Sequence, residues 1–543
     1  MPPINLTQLC QDLALAFTRQ PSVTGTADEA AFGPWLASHL RAQTCFGDTP
    51  EIWSFPVANG DARHCVALLI RGTGVDTVLL TGHYDTVTTA DYGDLQPLAI
   101  DPPALAQALL RRVKDAAPGT REALLREDLA SGRFLPGRGL LDMKAGLAAG
   151  LAAMAALVQD GPLPANLLFL AVPDEENASA GARGAARALP QILSTRGLGL
   201  RVAINLDAIA DDGDGRAGRV LALGTVGKVL PTALVIGAPV HSGFPLRGVN
   251  AAVLAGAIAQ ALEWAPELTD DTGTEPGTPI SLLSLKDGKA GYDVTTPATA
   301  FATFSVLNQT RDPATVLPIV ARLVDRAVSE CVSVLAKRAA KSGQTKGIIG
   351  APLSVPILFY ADLLSLVRAA GPAIDELQAT EARRLSASGA SLADICQTLT
   401  TDLWARSGLT GPAVVLGLGS TPYLATHLRN AAVEAAAHSL AADCAQAHGT
   451  SLSCVDYFAG ISDMSFFGQA PAGAFTALAA QTPGWNTLVG LGPDSIANVP
   501  TVNLGPWGRD YHTPHERIEI DYGFRILPRL LRDLVLRILA TPT

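Results

Sequence analysis

The chain has 543 residues, 48% of them hydrophobic and 17% charged, with 40 Lys and Arg against 50 Asp and Glu for a net charge of −10. This composition excludes an extensively disordered chain and allows more than one buried core, and without a basic stretch nucleic acid is not an expected partner. Seven cysteines without a CxxC pair are expected to be reduced core thiols of a cytoplasmic protein, neither a disulfide framework nor a zinc–thiolate site.

The opening Met1-Pro2-Pro3-Ile4-Asn5 has neither the basic start nor the apolar core of a signal peptide. Residues 6–19 are expected as an amphipathic helix, 21–26 as a loop and 27–42 as a second helix, with strands at 51–57, 65–70 and 77–81. Residues 91–134 read as a long insertion, helical at 105–113 and 121–129. Residues 143–158 are mostly Ala, Leu and Gly, a helix suited to pack on a sheet; its apolar run, 145–158, is too short to cross a bilayer, so no membrane is expected. Apolar strands of the buried kind follow at 166–172 and 201–206. Strands alternating with helices predict an α/β fold, an open mixed sheet with helices on both faces. From 229 the order changes to strand 229–237, helix 251–264, strands 280–286 and 300–307, and helix 313–339, which predicts an inserted α+β domain. Residues 340–410 contain helices at 361–369 and 392–404 but no usable motif. The α/β pattern is expected to return from 411, with strands at 413–418 and 488–490 and helices at 421–447 and 523–540. The expected domains are therefore 1–228 and 411–543 as two parts of one body, 229–339 as an insertion, and 340–410 unassigned.

Chemistry concentrates where strands end. An apolar run stops at Gly82 and delivers His83 and Asp85 two residues apart, so the carboxylate could hold the second ring nitrogen of a metal-binding imidazole. Alone, the pair reads first as a core histidine beside a turn aspartate, and it is the similar strand ends downstream that turn the reading toward a metal. Asp142 precedes the Ala-rich helix and alone would pass for an N-cap. Asp174, Glu175 and Glu176 directly follow a buried strand, where adjacent carboxylates repel unless a cation compensates them; a solvated acidic loop is the alternative. Asp207 ends another apolar strand, and His512 arrives in a Gly/Pro-rich loop. In open α/β sheets the carboxyl ends of strands are where ligands bind. Two histidines with three or four carboxylates suit a pair of zinc ions, with manganese or cobalt as alternatives. Two ions about 3.5–4 Å apart need a bridging carboxylate, and Asp142 is the candidate. Gly417-Leu418-Gly419-Ser420 lacks the third glycine of a dinucleotide fingerprint, and Asp211-Asp212-Gly213-Asp214-Gly215 lacks the closing Glu of an EF-hand and reads as a turn.

Taken in order, GHYDTV (82–87), GRGLLDMKAG (137–146), VPDEEN (172–177), the strand end at Asp207 and GPWGRDYHTPHE (505–516) resemble the zinc-dependent exopeptidase and deacylase family. That family includes acetylornithine deacetylase, succinyl-diaminopimelate desuccinylase, aminoacylase and glutamate carboxypeptidases. The resemblance runs from Pro21 to Glu516. PSVTGT (21–26), the long insertion and Tyr457-Phe458-Ala459-Gly460-Ile461-Ser462-Asp463-Met464-Ser465 look most like its RocB-type branch, associated with arginine degradation.

The resemblance implies a hydrolase that cleaves an amide or peptide bond in a small amino-acid derivative or short peptide. One ion would sit on His83, Asp142 and Asp207, the other on Asp142, Glu176 and His512. Asp85 would orient His83, and Glu175 would be the general base toward a metal-bridging water. The inserted domain matches the family's lid, through which a homodimer is expected. In it His241 would donate to the oxyanion, and Arg311 would grip a substrate carboxylate with its planar fork. His515 stands where the family usually has Asp or Asn, and Asp207 rather than Glu leans toward aminopeptidase or dipeptidase chemistry. An N-acyl amino acid deacylase is the enzymatic alternative. The alternative from another class, a non-catalytic metal-stabilised binding protein, has the intact Glu175 and ligand set against it.

Overall fold

The computed structural model describes residues 4–211, 218–272, 276–342, 353–371, 373–458, 460–471 and 473–540. Residues 212–215 of the expected acidic turn, and Met1-Pro2-Pro3, lie outside them. The chain divides into two compact units: Met1–Thr225 with Thr426–Ala470 and Asp494–Thr543, and Val226–Ala425 with Pro471–Pro493.

The first unit opens with α1 (Leu6–Arg19), capped by the Asn5 side chain, and α2 (Ala27–Arg41). The strands β1 (Glu51–Pro56), β2 (His64–Ile70) and β3 (Asp76–His83) follow. The insertion contributes α3 (Pro102–Arg112), α4 (Arg121–Ala130) and the short β4 (Phe134–Pro136). Then come α5 (Ala145–Gln159), β5 (Asn166–Val172), α6 (Ala180–Arg196), β6 (Gly199–Asn205), β7 (Ile209–Asp211) and β8 (Val220–Ala222). The main sheet has eight strands in the order β1, β2, β5, β3, β6, Thr501–Asn503, β8, Ser453–Val455. It is mixed: β1, β2 and β5 pair antiparallel, whereas β3 lies parallel to both β5 and β6. The middle of β3 and all of β5 are buried, which is why they read as unbroken apolar runs.

Helix α5 packs flush on this sheet because of its small residues. A Cβ on Gly146 would stand 2.1 Å from the Leu206 carbonyl oxygen, and one on Gly150 would stand 2.7 Å from the Leu206 side chain. With its preceding turn the helix spans Leu140–Gln159, 20 residues, longer than expected and enough in length and composition to cross a membrane. Its apolar window is 89% buried inside the fold, where it serves as a core helix.

The second unit holds a six-stranded sheet: Gly227–Val229, Thr299–Asn308, Pro231–Ile236, Ala413–Leu418 and Ile357–Phe359, with Ser281–Asp287 added on Thr299–Asn308. Two expectations are corrected here. Ala413–Leu418 does not return to the first sheet; it pairs antiparallel with Pro231–Ile236 and parallel with Ile357–Phe359. A fully apolar strand signals burial but not which sheet buries it. The described part of 340–410 joins this unit too, adding Tyr360–Ala370, Ile374–Ala387 and Leu392–Arg406, so the insertion is larger than 229–339.

Two further elements differ from expectation. Residues 488–490 are not a strand: the chain turns helically over Trp485–Val489, between left-handed Gly484 and Gly490. The helix expected from 421 begins at Ala431, because the Asn430 side chain accepts the amides of Ala432 and Val433 and caps it there.

Candidate metal centre

Because β5, β3 and β6 are parallel neighbours, their carboxyl ends emerge side by side, with His83 opposite Val172 and Thr81 opposite Asn205. His83 therefore meets the loop carrying Glu175 and Glu176 on one side and the turn carrying Asp207 on the other. Close approach demands Gly82, since a Cβ there would fall 2.0 Å from the Met143 methyl.

His83 is 2% exposed. Its Nδ1 lies 3.1 Å from the backbone carbonyl oxygen of Asp85 and 3.6 Å from that residue's carboxylate. A carbonyl can only accept, so Nδ1 carries the hydrogen and Nε2 faces the site. The Asp85 carboxylate has a further role that sequence alone did not suggest. It accepts the amides of Glu175 at 3.1 Å and Glu176 at 3.3 Å, together with the Thr24 hydroxyl at 2.8 Å. It thus fixes the loop that presents both glutamates.

Asp142 lies between the two histidines. Its Oδ1 is 3.2 Å from His83 Nε2 and its Oδ2 is 3.1 Å from His512 Nε2, one oxygen for each imidazole. Glu176 Oε1 stands 3.1 Å from the same His512 nitrogen, Asp207 Oδ1 3.8 Å from His83 Nε2, and Glu175 Oε2 4.0 Å from it. Two overlapping triads result, His83–Asp142–Asp207 and Asp142–Glu176–His512, each with its donor atoms within 4.8 Å of one another.

Supports come from chain-distant residues. The Asn503 side chain accepts the Asp207 amide at 3.1 Å and donates to the Asp207 carbonyl at 2.9 Å. Glu516, 1% exposed, accepts from the Asp142 amide at 3.5 Å and from Arg138 Nη1 at 2.8 Å. His512 sits in the loop of a hairpin formed by Trp507–Arg509 and Arg517–Glu519. His512 (φ 60°) and Asp510 (φ 55°) are both left-handed, which costs about 1–3 kcal/mol each for non-glycine residues and persists only where surroundings impose it. His515, which departs from the family pattern, joins the hairpin through its backbone: its carbonyl accepts from Arg517 Nη1 at 2.9 Å.

Burial pushes the carboxyls of Glu175, Glu176 and Asp207 above their ordinary range, Glu175 most of all, and neighbouring carboxylates add to this. Asp142 is buried too, yet the two imidazoles draw it below the usual carboxylate range. Against the effect of burial, these carboxylates raise both histidines, His512 to about 10. Asp463, 2% exposed and missed as a site residue, is pushed by burial up to about 7 and adds negative potential at Glu175. It lies in the 457–465 stretch that resembles the RocB-type branch, but its Ser-Asp dipeptide before a short helix looks like a cap, so nothing local gives it a place in the site.

So many buried carboxylates converging on two imidazoles require positive charge to be stable as anions. Asp142 Oδ1 is buried without a hydrogen-bond partner among the described residues. These donors, imidazole nitrogen and carboxylate oxygen, fit divalent ions such as zinc or manganese.

His241 and Arg311 belong to the second unit. His241 is exposed, with Nδ1 accepting the Gly243 amide at 3.0 Å. Arg311 is half-buried: its Nη2 donates to the Thr269 carbonyl at 3.0 Å, its amide is held by Asp270 at 2.7 Å, and its Nε has no hydrogen-bond partner among the described residues.

Comparison with known proteins gives one consistent result. The sequence profile described as Peptidase family M20/M25/M40 matches residues 79–487. The chain is 28% identical over 524 residues to the uncharacterized protein YqjN of Bacillus subtilis (strain 168), covering 96% of this chain and 94% of that one. It is 25% identical over 550 residues to protein RocB of the same organism, covering 99% and 96%. Among solved structures, aminopeptidase PepT from Bacillus cereus superposes with a TM-score of 0.52 at 13% identity, covering 98% of each chain, a likeness of fold.

Proposed function

We propose that this chain, which belongs to peptidase family M20/M25/M40, is a hydrolase that uses two divalent ions to cleave an amide or peptide bond in a small amino-acid derivative or short peptide. The observation that carries the proposal is Asp142, one oxygen toward each histidine, shared by two triads of metal-type donors. His83, Asp142 and Asp207 would hold one ion and Asp142, Glu176 and His512 the other, with zinc the proposed metal. Ions bound there lower the pKa of water and polarise a carbonyl.

The chain's own chemistry centres on Glu175. Anchored through its amide to Asp85, it is proposed as the general base that takes a proton from the attacking water and delivers it to the departing amine. The elevated proton affinity that burial gives it suits both halves of that task. Asp85 keeps base and ligand in register, since one carboxylate accepts both the Glu175 and Glu176 amides.

Elemental analysis of protein purified without chelator is expected to find about two divalent ions per chain, reduced in His83→Ala and His512→Ala. No bound metal, unrecovered on adding zinc, manganese or cobalt, would remove the reading. A panel of dipeptides beside N-acyl amino acids then separates peptidase from deacylase.

Arg311 is the proposed grip for a substrate carboxylate, supported by its Nε, which has no hydrogen-bond partner among the described residues. Arg311→Lys is expected to raise KM for carboxylate-bearing substrates about tenfold with kcat little changed, because ammonium cannot reproduce the fork. Unchanged KM would assign Arg311 to structure alone.

A further inference from the structure

Residues 91–134 interrupt the connection between β3 and α5 and contribute no member of either triad. They end at the hairpin that carries His512: β4 pairs with Arg517–Glu519, and the last paired rung of the hairpin sets Arg509 directly opposite Arg517. Like charges facing each other across an antiparallel rung repel, more so when buried. Here the side chains are 13% and 0% exposed.

The compensating charge comes from the insertion. Asp128 of α4, 8% exposed, accepts from Arg509 Nη1 at 2.9 and 2.7 Å, one contact to each oxygen. It also accepts from Arg517 Nε at 2.8 Å and Nη2 at 2.7 Å. The remaining nitrogen of Arg517 binds inside the loop, donating to Asp510 Oδ2 at 2.6 Å and to the His515 carbonyl at 2.9 Å. A second carboxylate of the insertion, Asp91, holds Arg138 at 2.7 Å, and Arg138 holds Glu516 at the far end of the same loop. The segment from Asp510 to Glu516, with its two left-handed residues, is thus held at both ends by arginines that carboxylates of the insertion hold in turn, Arg517 by Asp128 and Arg138 by Asp91.

We propose that Asp128 is a positioning residue for His512: the insertion is a brace that closes the neck of the hairpin and so aims the imidazole at Asp142 and Glu176. This rests on the two-ion reading above. Without Asp128, the two buried guanidiniums face each other with only Asp510, bound to Arg517 Nη1, left to offset them; the neck opens, and the His512 triad loosens while the His83 triad is untouched.

The test is a stepwise zinc titration of the full-length, chelator-stripped protein by calorimetry, parent beside Asp128→Asn. Two ions are expected in the parent. Asp128→Asn should keep one at unchanged affinity and bind the other about tenfold more weakly, the loss typical of disturbing an outer-shell partner. A general loss of structure would weaken both ions and lower the melting temperature together, so selective loss is the signature of positioning. If Asp128→Asn does not fold, Arg517→Lys keeps the charge but cannot serve Asp128, Asp510 and the His515 carbonyl at once, and the same selective loss is expected. Two ions in the parent and unchanged affinities in the variant that folds would overturn the brace alone; fewer than two ions in the parent would overturn both it and the two-ion reading.

Discussion

Glu175→Gln is expected to lower kcat by about 10²–10⁴-fold on whichever substrate the panel identifies, while the metal content stays at the parental value. The amide matches the carboxylate in size and keeps the backbone bond from the Glu175 amide to Asp85, so the loop and Glu176 stay in place. Only proton-accepting capacity is removed. Glu175 lies 11% exposed with Oε2 4.0 Å from His83 Nε2, outside both triads, so its loss should not release an ion. KM should change little, since no ground-state contact is assigned to this side chain. Kinetics and elemental analysis on one preparation decide the matter: full activity would remove Glu175 as the base, and loss of an ion would make it a ligand.

Asp142→Ala is expected to abolish binding of both ions, whereas Glu176→Ala and Asp207→Ala each disturb one. The reason is geometric: Asp142 alone belongs to both triads. At a free-ion concentration a hundred times Kd, each site stabilises the fold by about 2.7 kcal/mol, and the variant should forfeit that gain at both. The gain should also depend on pH in a definite direction. The folded-state pKa values of Glu175, Glu176 and Asp207 are raised by burial, so in chelator-treated protein stability falls as pH rises above about 4.5, where the unfolded carboxyls already ionise. His512 is raised to about 10, so its contribution, complete below about 6.5, is lost as pH approaches 10. Asp142, whose pKa is lowered, acts oppositely, contributing above its unfolded value and losing that contribution in acid. Ion binding needs deprotonated ligands and strengthens with pH. The difference in melting temperature between metal-loaded and chelated parent should therefore widen from pH 6 to pH 9 and vanish in Asp142→Ala; a pH-independent difference would contradict this linkage.

Much of the centre was legible because its donors sit at the ends of apolar runs. His83, Glu175, Glu176 and Asp207 each follow a strand that the sequence marks by unbroken hydrophobicity, and β5 has the expected bounds. Less was legible where the physical cause is non-local. Helix α6 carries Gly and Ala in its first turns and Pro190 within, so no apolar stripe announces it. Ala413–Leu418 reads as a strand, yet its sheet is chosen by neighbours far along the chain. Asp85 pointed to His83 by its spacing, but its carboxylate is taken by amides 90 and 91 residues away. Asn503 and Asp128 carry no motif at all; each matters only through what tertiary packing sets beside it.

What the sequence by itself determined is the inventory: two imidazoles, the carboxylates and their order, each bound to a local element by hydrophobic patterning and turn chemistry. What only the tertiary structure decided is their convergence. The order β5, β3, β6 is not the order of the chain, and that permutation brings His83 between Glu175 and Asp207, while a hairpin more than 300 residues further on supplies His512. Strand order and hairpin placement follow from burying every apolar face at once, a condition on the whole unit that no stretch of residues expresses alone.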